Sequence, residues 1–181
     1  GAAPIVLVHG AWHGPWCWEA VAEGLRASGR EVVVPALPDH DVPGRRARLW
    51  RRAGEYVDAV EEVVRSLPTP PILVGHSMGG YVVRRVLHRV EAVGAVLVAP
   101  VPRRGVAVTT GRLLGRELRS TLTSLATLSL WPIVSDPQRQ RDACLDHTAD
   151  PDAATLLAAN VQNESYLAFA AMLLRPAGQP R

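Results

Sequence analysis

Over the first hundred residues, short apolar runs alternate with stretches of helical periodicity. Ile5-Val6-Leu7-Val8 reads as a buried strand, and residues 31–34 as a second, closed by Pro35. Ile72-Leu73-Val74 reads as a third, bounded by Pro68, Pro70 and Pro71, and residues 93–99 as a fourth. These runs are short, rich in β-branched residues and bounded by proline, which favours strands over helix. Between them, a helix is expected from about Pro15, with proline at an early helical position and Gly29 as its stop. Tyr56, Val57, Val60, Val63, Val64 and Leu67 trace one face of the next helix. Val82, Val83, Val86, Leu87 and Val90 recur at helical spacing after the third strand. Alternating strands and helices imply parallel pairing with right-handed crossovers. Strands apolar throughout imply helices on both faces of the sheet. The expected fold class is α/β, a three-layer αβα arrangement around a mostly parallel sheet.

Beyond Pro102 the strand signal stops. Residues 110–130 read as helical through Leu113, Leu114, Leu118, Leu122, Leu125 and Leu128, and further helices are expected near 137–146, 152–162 and 163–173. Asp136-Pro137 and Asp150-Pro151 read as helix starts, with the aspartate as cap and proline at the first helical position. The expected organisation is a core over residues 1–102, a helical lid over 103–174, and the beginning of a further core stretch at 175–181. Residues 36–49 form a connecting loop rich in proline, aspartate and arginine.

Composition narrows the setting. A length of 181 residues with 48% hydrophobic content fits one globular domain. No apolar run approaches a membrane span, and no charged-then-apolar leader precedes residue 4. Cys17 and Cys144 give neither a disulfide framework nor a metal spacing, so ordinary thiols in a cytoplasmic protein are expected. All 20 basic residues are arginine, which points to codon usage in a GC-rich bacterial genome more than to function. The cluster Arg45, Arg46, Arg48, Arg51 and Arg52 reads as a solvated loop and helix start. Nucleic-acid binding would need a broader basic face.

Ligands of open parallel sheets bind beyond the carboxyl ends of the strands. The third strand runs there into Gly75-His76-Ser77-Met78-Gly79-Gly80, a G-x-S-x-G pattern. The short pattern is weakly specific, and the strand before it and helix after it supply the specificity. The turn is tight enough that side chains two before and two after the serine collide with backbone, so glycine is favoured there. The serine hydroxyl projects from the sheet at the mouth of a helix whose N–H groups can face an oxyanion. The bland alternative is a serine that only caps the helix.

Four segments carry a resemblance. They are Leu7-Val8-His9-Gly10-Ala11-Trp12-His13-Gly14 with Trp16-Cys17-Trp18, the second strand with Pro35, Val74-Gly75-His76-Ser77-Met78-Gly79-Gly80, and Leu97-Val98-Ala99. Together they resemble the α/β-hydrolase superfamily, and within it small serine esterases of the methylesterase and hydroxynitrile-lyase type. The resemblance is specific over residues 4–100 and looser over the lid. It implies Ser77 as nucleophile and the backbone N–H groups of Ala11 and Met78 as oxyanion hole. His9, Gly10, Gly75, His76, Gly79 and Gly80 are then expected to shape the loop and the elbow. Trp12 with the lid residues Leu125, Leu128, Trp131, Phe169 and Met172 is a candidate apolar acyl pocket, against the plainer reading that these residues only pack helices.

The family order places the acid and then the histidine after later strands. Of the six histidines, His9 and His76 are expected to be structural, and His13 and His40 are loop residues. His88 lies well away from the strand end, and His147 follows Asp146 in the lid. The acid and base are therefore expected beyond this sequence, on a C-terminal part that was removed or on a second chain that completes the fold. Without a base, Ser77 is a weak nucleophile, so this stretch alone is expected to have little or no activity. The leading expectation is hydrolysis of carboxylic esters or related small acyl compounds through an acyl-enzyme on Ser77, with no metal or organic cofactor implied. Hydroxynitrile-lyase or cofactor-free haloperoxidase-like chemistry is an alternative on the same scaffold, although a lyase of that type would need a base such as lysine and the sequence has none. A non-catalytic ligand-binding protein of the same fold is the third.

Overall fold

The computed structural model describes residues 1–41, 51–102, 118–136, 140–141, 145 and 150–174. Four parallel strands, β1 (Ile5–Val8), β2 (Val32–Val33), β3 (Ile72–His76) and β4 (Gly94–Val98), form one sheet in the order β2-β1-β3-β4. β1 is central, with Ile5 opposite both Val32 and Ile72, and Val8 opposite Gly75. β3 continues in register with β4 from Ile72↔Gly94 to His76↔Val98.

Strand pleating splits the apolar side chains between two layers. Ile5 and Leu7 point to one face, where Ala22 and Leu25 of α1 (Glu19–Ala27) cover them with Val32. Val6, Val8 and Leu73 point to the other face, into a larger core with Tyr56, Val57, Val60 and Val64 of α2 (Ala53–Ser66) and Tyr81, Val82, Val83 and Val86 of α3 (Met78–Val86). This is the expected αβα sandwich. Three details differ from the periodicity. The first helix opens with a 3-10 turn at Pro15–Trp18, β2 is only two residues long, and β4 has Val96 and Val98 exposed, with no described element over its outer side.

After β4 the described helices are α4 (Leu118–Thr127), α5 (Trp131–Val134), α6 (Pro151–Asn160) and α7 (Tyr166–Leu174). Asp150 caps α6, accepting from the Asp152 N–H at 2.9 Å, with Pro151 at the first helical position as its sequence predicts. Two abutting helices were expected across residues 152–173. Instead α6 and α7 are separated by residues 161–165, which are non-helical and entirely buried. The reason is chemical: the side chains of Gln162, Glu164 and Ser165 bond to the core instead of facing solvent. α7 then packs its Ala168 and Met172 into the larger core. Most of the helix expected near 137–146 lies outside the described residues.

Candidate active site

Backbone strain marks one end of the sheet. Each strand is followed by a non-glycine residue in the left-handed region: Trp12 (φ 62°) after β1, Asp39 (φ 68°) after β2, Ser77 (φ 50°) after β3 and Ala99 (φ 40°) after β4. Such conformations cost about 1–3 kcal/mol each and persist only where the surroundings over-determine them. Here they ring the carboxyl ends of the strands, the rim where this architecture places ligands.

The elbow is held by close backbone packing. A β-carbon on Gly75 would lie 2.5 Å from the Gly79 carbonyl oxygen, and one on Gly79 would press into the carbonyls of Val8 and His9, the latter at 2.6 Å. α3 can therefore approach β1 and β3 only with glycine at both positions. Gly80 makes the same close approach to Pro100. Ser77 donates its N–H to the Val98 carbonyl at 3.0 Å, and its own carbonyl accepts from Gly80 at 3.0 Å and Tyr81 at 3.3 Å. With ψ −112°, Ser77 turns the chain from β3 directly into α3 and is only partly buried. Met78 opens α3, where backbone N–H groups have no acceptor within their own helix.

The loop after β1 lies against this serine. A β-carbon at Gly10 would be 3.3 Å from Ser77 Cβ and 2.9 Å from His76 Nδ1, which puts Gly10-Ala11 beside Ser77. His9 is fully buried beneath the loop. Its Nδ1–H donates to the Gly10 carbonyl at 2.9 Å, and its Nε2 accepts from the Leu37 N–H at 3.2 Å. Both ring nitrogens are thus committed to backbone. Burial, with the neighbouring His40 charge, pushes its pKa down to about 3, so it is neutral. His76 is also held below its ordinary value, by burial and then by His13, whose ring it meets edge-on at 6.1 Å. His13 stacks on Trp16 at 5.3 Å and bonds through Nδ1 to the Ala11 carbonyl at 2.6 Å. Among the described residues, no histidine ring nitrogen is hydrogen-bonded to Ser77. His147 and Asp146 lie outside them, as do Arg45, Arg46, Arg48 and Cys144. Cys17 is a half-buried free thiol whose pKa burial pushes up to about 12.

Of the candidate pocket residues, Trp12 and Phe169 pack against each other with ring centroids 5.5 Å apart, joining the loop to α7. Met172 is buried in the core, and Trp131 is 40% exposed on α5. The Leu125 side chain lies outside the described residues. His88 is exposed beyond the C-terminal end of α3, remote from the strand ends.

Sequence reasoning passed over a polar cluster behind this rim. His40 donates through Nε2 to Glu164 Oε2 at 3.0 Å and through Nδ1 to the Pro38 carbonyl at 2.9 Å. Both His40 nitrogens thus face acceptors, the arrangement of an imidazolium. Glu164 accepts further bonds on Oε1 from Tyr56 OH at 2.7 Å and from the Ser165 N–H at 2.8 Å. Burial alone would lower the His40 pKa and raise that of Glu164. Their mutual charge and hydrogen bonds reverse both, so His40 is raised and Glu164 lowered. The only sequence signal was the polar run Gln162-Asn163-Glu164-Ser165 between apolar helices.

A family model described as "Alpha/beta hydrolase family" matches residues 5–180. The chain belongs to the alpha/beta hydrolase family. A carbendazim hydrolyzing esterase of Nocardioides sp. (strain SG-4G) is 40% identical over 95 residues, 49% of this chain and 37% of that protein. Methylesterase 3 of Arabidopsis thaliana is 38% identical over 79 residues, 42% of this chain and 30% of that protein. The chain thus spans about a third of the length of these curated relatives in the regions it matches. A methylesterase crystal structure from Arabidopsis superposes with a TM-score of 0.70 at 18% identity, covering 98% of this chain and 72% of that one, which establishes the shared fold.

Proposed function

We propose that this chain carries the nucleophile and oxyanion hole of a serine esterase acting on small carboxylic esters. The observation that carries the reading is Ser77, strained at the β3–α3 junction and flanked by backbone too close for any side chain but hydrogen at Gly75 and Gly79. The similarity to esterases supports the choice of ester over other acyl compounds. Ser77 Oγ attacks the ester carbonyl and a histidine base takes its proton. The resulting oxyanion accepts from the Ala11 and Met78 N–H groups, each such donor being worth about 3 kcal/mol in the transition state. Collapse expels the alcohol, which takes the proton from the histidine. Water then hydrolyses the acyl-enzyme by the same route. The histidine and its carboxylate come from outside the described residues. Residues 103–174 act as the lid, and Trp12 with Phe169 forms an apolar wall for the acyl group.

In the full-length protein, a fluorophosphonate should label Ser77, and Ser77→Ala should abolish both labelling and hydrolysis of a short activated ester. Labelling at another residue, or undiminished hydrolysis by Ser77→Ala, would exclude the assignment.

A further inference from the structure

The loop that bears Ala11 and Trp12 needs to be held from both sides, because Trp12 itself is strained. The elbow holds one side. The other is gripped by one residue of the buried 161–165 segment. The Gln162 N–H donates to the Trp12 carbonyl at 3.0 Å, and its side-chain Nε2 donates to the His13 carbonyl at 2.8 Å. One residue therefore fixes two successive peptide groups, the second and third after the one that carries the Ala11 N–H used in the mechanism. Gly14 follows directly and lies close to the backbone of the His40 loop: a β-carbon there would stand 2.9 Å from the His40 carbonyl oxygen.

Gln162 is in turn held by the residues that follow it. Glu164, fully buried, is fixed by His40, Tyr56 and the Ser165 N–H. Ser165 Oγ donates to the Arg51 carbonyl at 2.6 Å. Asn163 Nδ2 reaches Ser129 Oγ at 3.1 Å, and its Oδ1 accepts from the Glu164 N–H at 3.0 Å. The anchors come from the loop after β2, from the start of α2 and from the turn after α4. The segment is thus tied at several points before it meets the loop.

We propose that Gln162 is a positioning residue for the oxyanion loop, anchored through Glu164 to His40 and Tyr56. Its action on the loop is independent of the chemistry, while its effect on turnover rests on the serine-esterase reading above. Effective catalysis tolerates little misplacement of such a donor, and a displacement of about 1 Å costs about a hundredfold.

The test is Gln162→Met, which keeps the side chain's bulk and removes its donor, in the full-length protein. Amide hydrogen exchange around residues 10–13 should rise about tenfold, the loss of one net hydrogen bond, while exchange in α3 stays unchanged. With an activated ester, kcat should fall about ten- to a hundredfold while KM stays within about twofold. Glu164→Gln, which keeps the shape and removes the charge, should give the same pattern more weakly, and it carries the test if Gln162→Met does not fold. Unchanged exchange at residues 10–13, a rise spread evenly over the chain, or a loss confined to KM would overturn the proposal. If the parent protein and Ser77→Ala hydrolyse the ester equally, the esterase reading fails, and the exchange measurement still decides the role of Gln162.

Discussion

The loop between β1 and the first helix is held from two sides by opposite means. On the elbow side the contacts are steric: Gly75 and Gly79 bring the backbones of β1, β3 and α3 closer than any side chain would allow, and Gly10 lets the loop lie against the His76 ring. On the side of residues 161–165 the contacts are polar, through Gln162, Glu164 and Ser165, all buried to 5% exposure or less. The first device is local, since β3 and α3 are consecutive in the chain. The second joins residues more than a hundred positions apart, such as His40 to Glu164. A steric clamp fixes shape whatever the charge state, whereas a clamp of buried ions holds only while both partners remain charged.

The sharpest way to break the steric side is Gly79→Ala. The new methyl meets the Val8 and His9 carbonyls, which belong to and follow the central strand and cannot retreat without disturbing the sheet. Overpacking against backbone of this kind should cost about 4 kcal/mol or more, the exceptional end of single substitutions. Urea unfolding measures it. A loss below about 1 kcal/mol would show that the elbow tolerates separation and is not a steric clamp.

The corresponding break on the polar side is Glu164→Ala. It leaves His40 buried, with only the Pro38 carbonyl as acceptor, and strands the Tyr56 hydroxyl. Removing one partner of a buried pair typically costs about 3 kcal/mol or somewhat more. Glu164→Gln should recover part of that loss, because an amide oxygen still accepts from Tyr56 or His40. Equal stability of Glu164→Ala and the parent would mean that the segment is held by its apolar neighbours alone.

The two sides also differ in how far the sequence discloses them. The elbow was legible because its cause is local: glycine spacing around a serine, a β-branched run before it and a helical repeat after it. The four strands and the α2 and α3 faces were legible for the same reason, since pleat and helical period are written along the chain. The Glu164 cluster was not. Its members, His40, Tyr56, Gln162 and Glu164, come from three separated segments, and each has an ordinary local role: loop histidine, helix-face aromatic, polar residues between helices. Tyr56 fitted the apolar stripe of α2 correctly, yet periodicity cannot reveal that its hydroxyl reaches a carboxylate on the far side of the chain. The exposure of Val96 and Val98 on β4 was likewise invisible, because an apolar strand reads as buried whatever stands beside it.

The smallest expected effect, and the most selective, is on pH dependence. Burial first of all holds His9, His13 and His76 below the ordinary 6.5, so the unfolded chain binds protons there that the folded chain refuses. Stability should therefore fall as pH drops below about 6.5, with the His9 share lost progressively toward about 3. His40 works in the other direction. Its folded value is raised, because the Glu164 charge and hydrogen bond, aided by the Pro38 carbonyl and Asp39, outweigh its burial. Its contribution is complete below 6.5 and disappears as pH rises through that raised value. The Tyr56 hydroxyl and the Cys17 thiol are both raised and stay protonated in this range, so from 6.5 toward 9 the histidine–carboxylate pair is the contribution to isolate. In Glu164→Gln the alkaline decline should vanish while the acid decline from His9, His13 and His76 persists. Chemical denaturation at a series of pH values separates the two limbs. An alkaline slope that survives Glu164→Gln would remove the charged pair from the polar side and leave it a set of neutral hydrogen bonds.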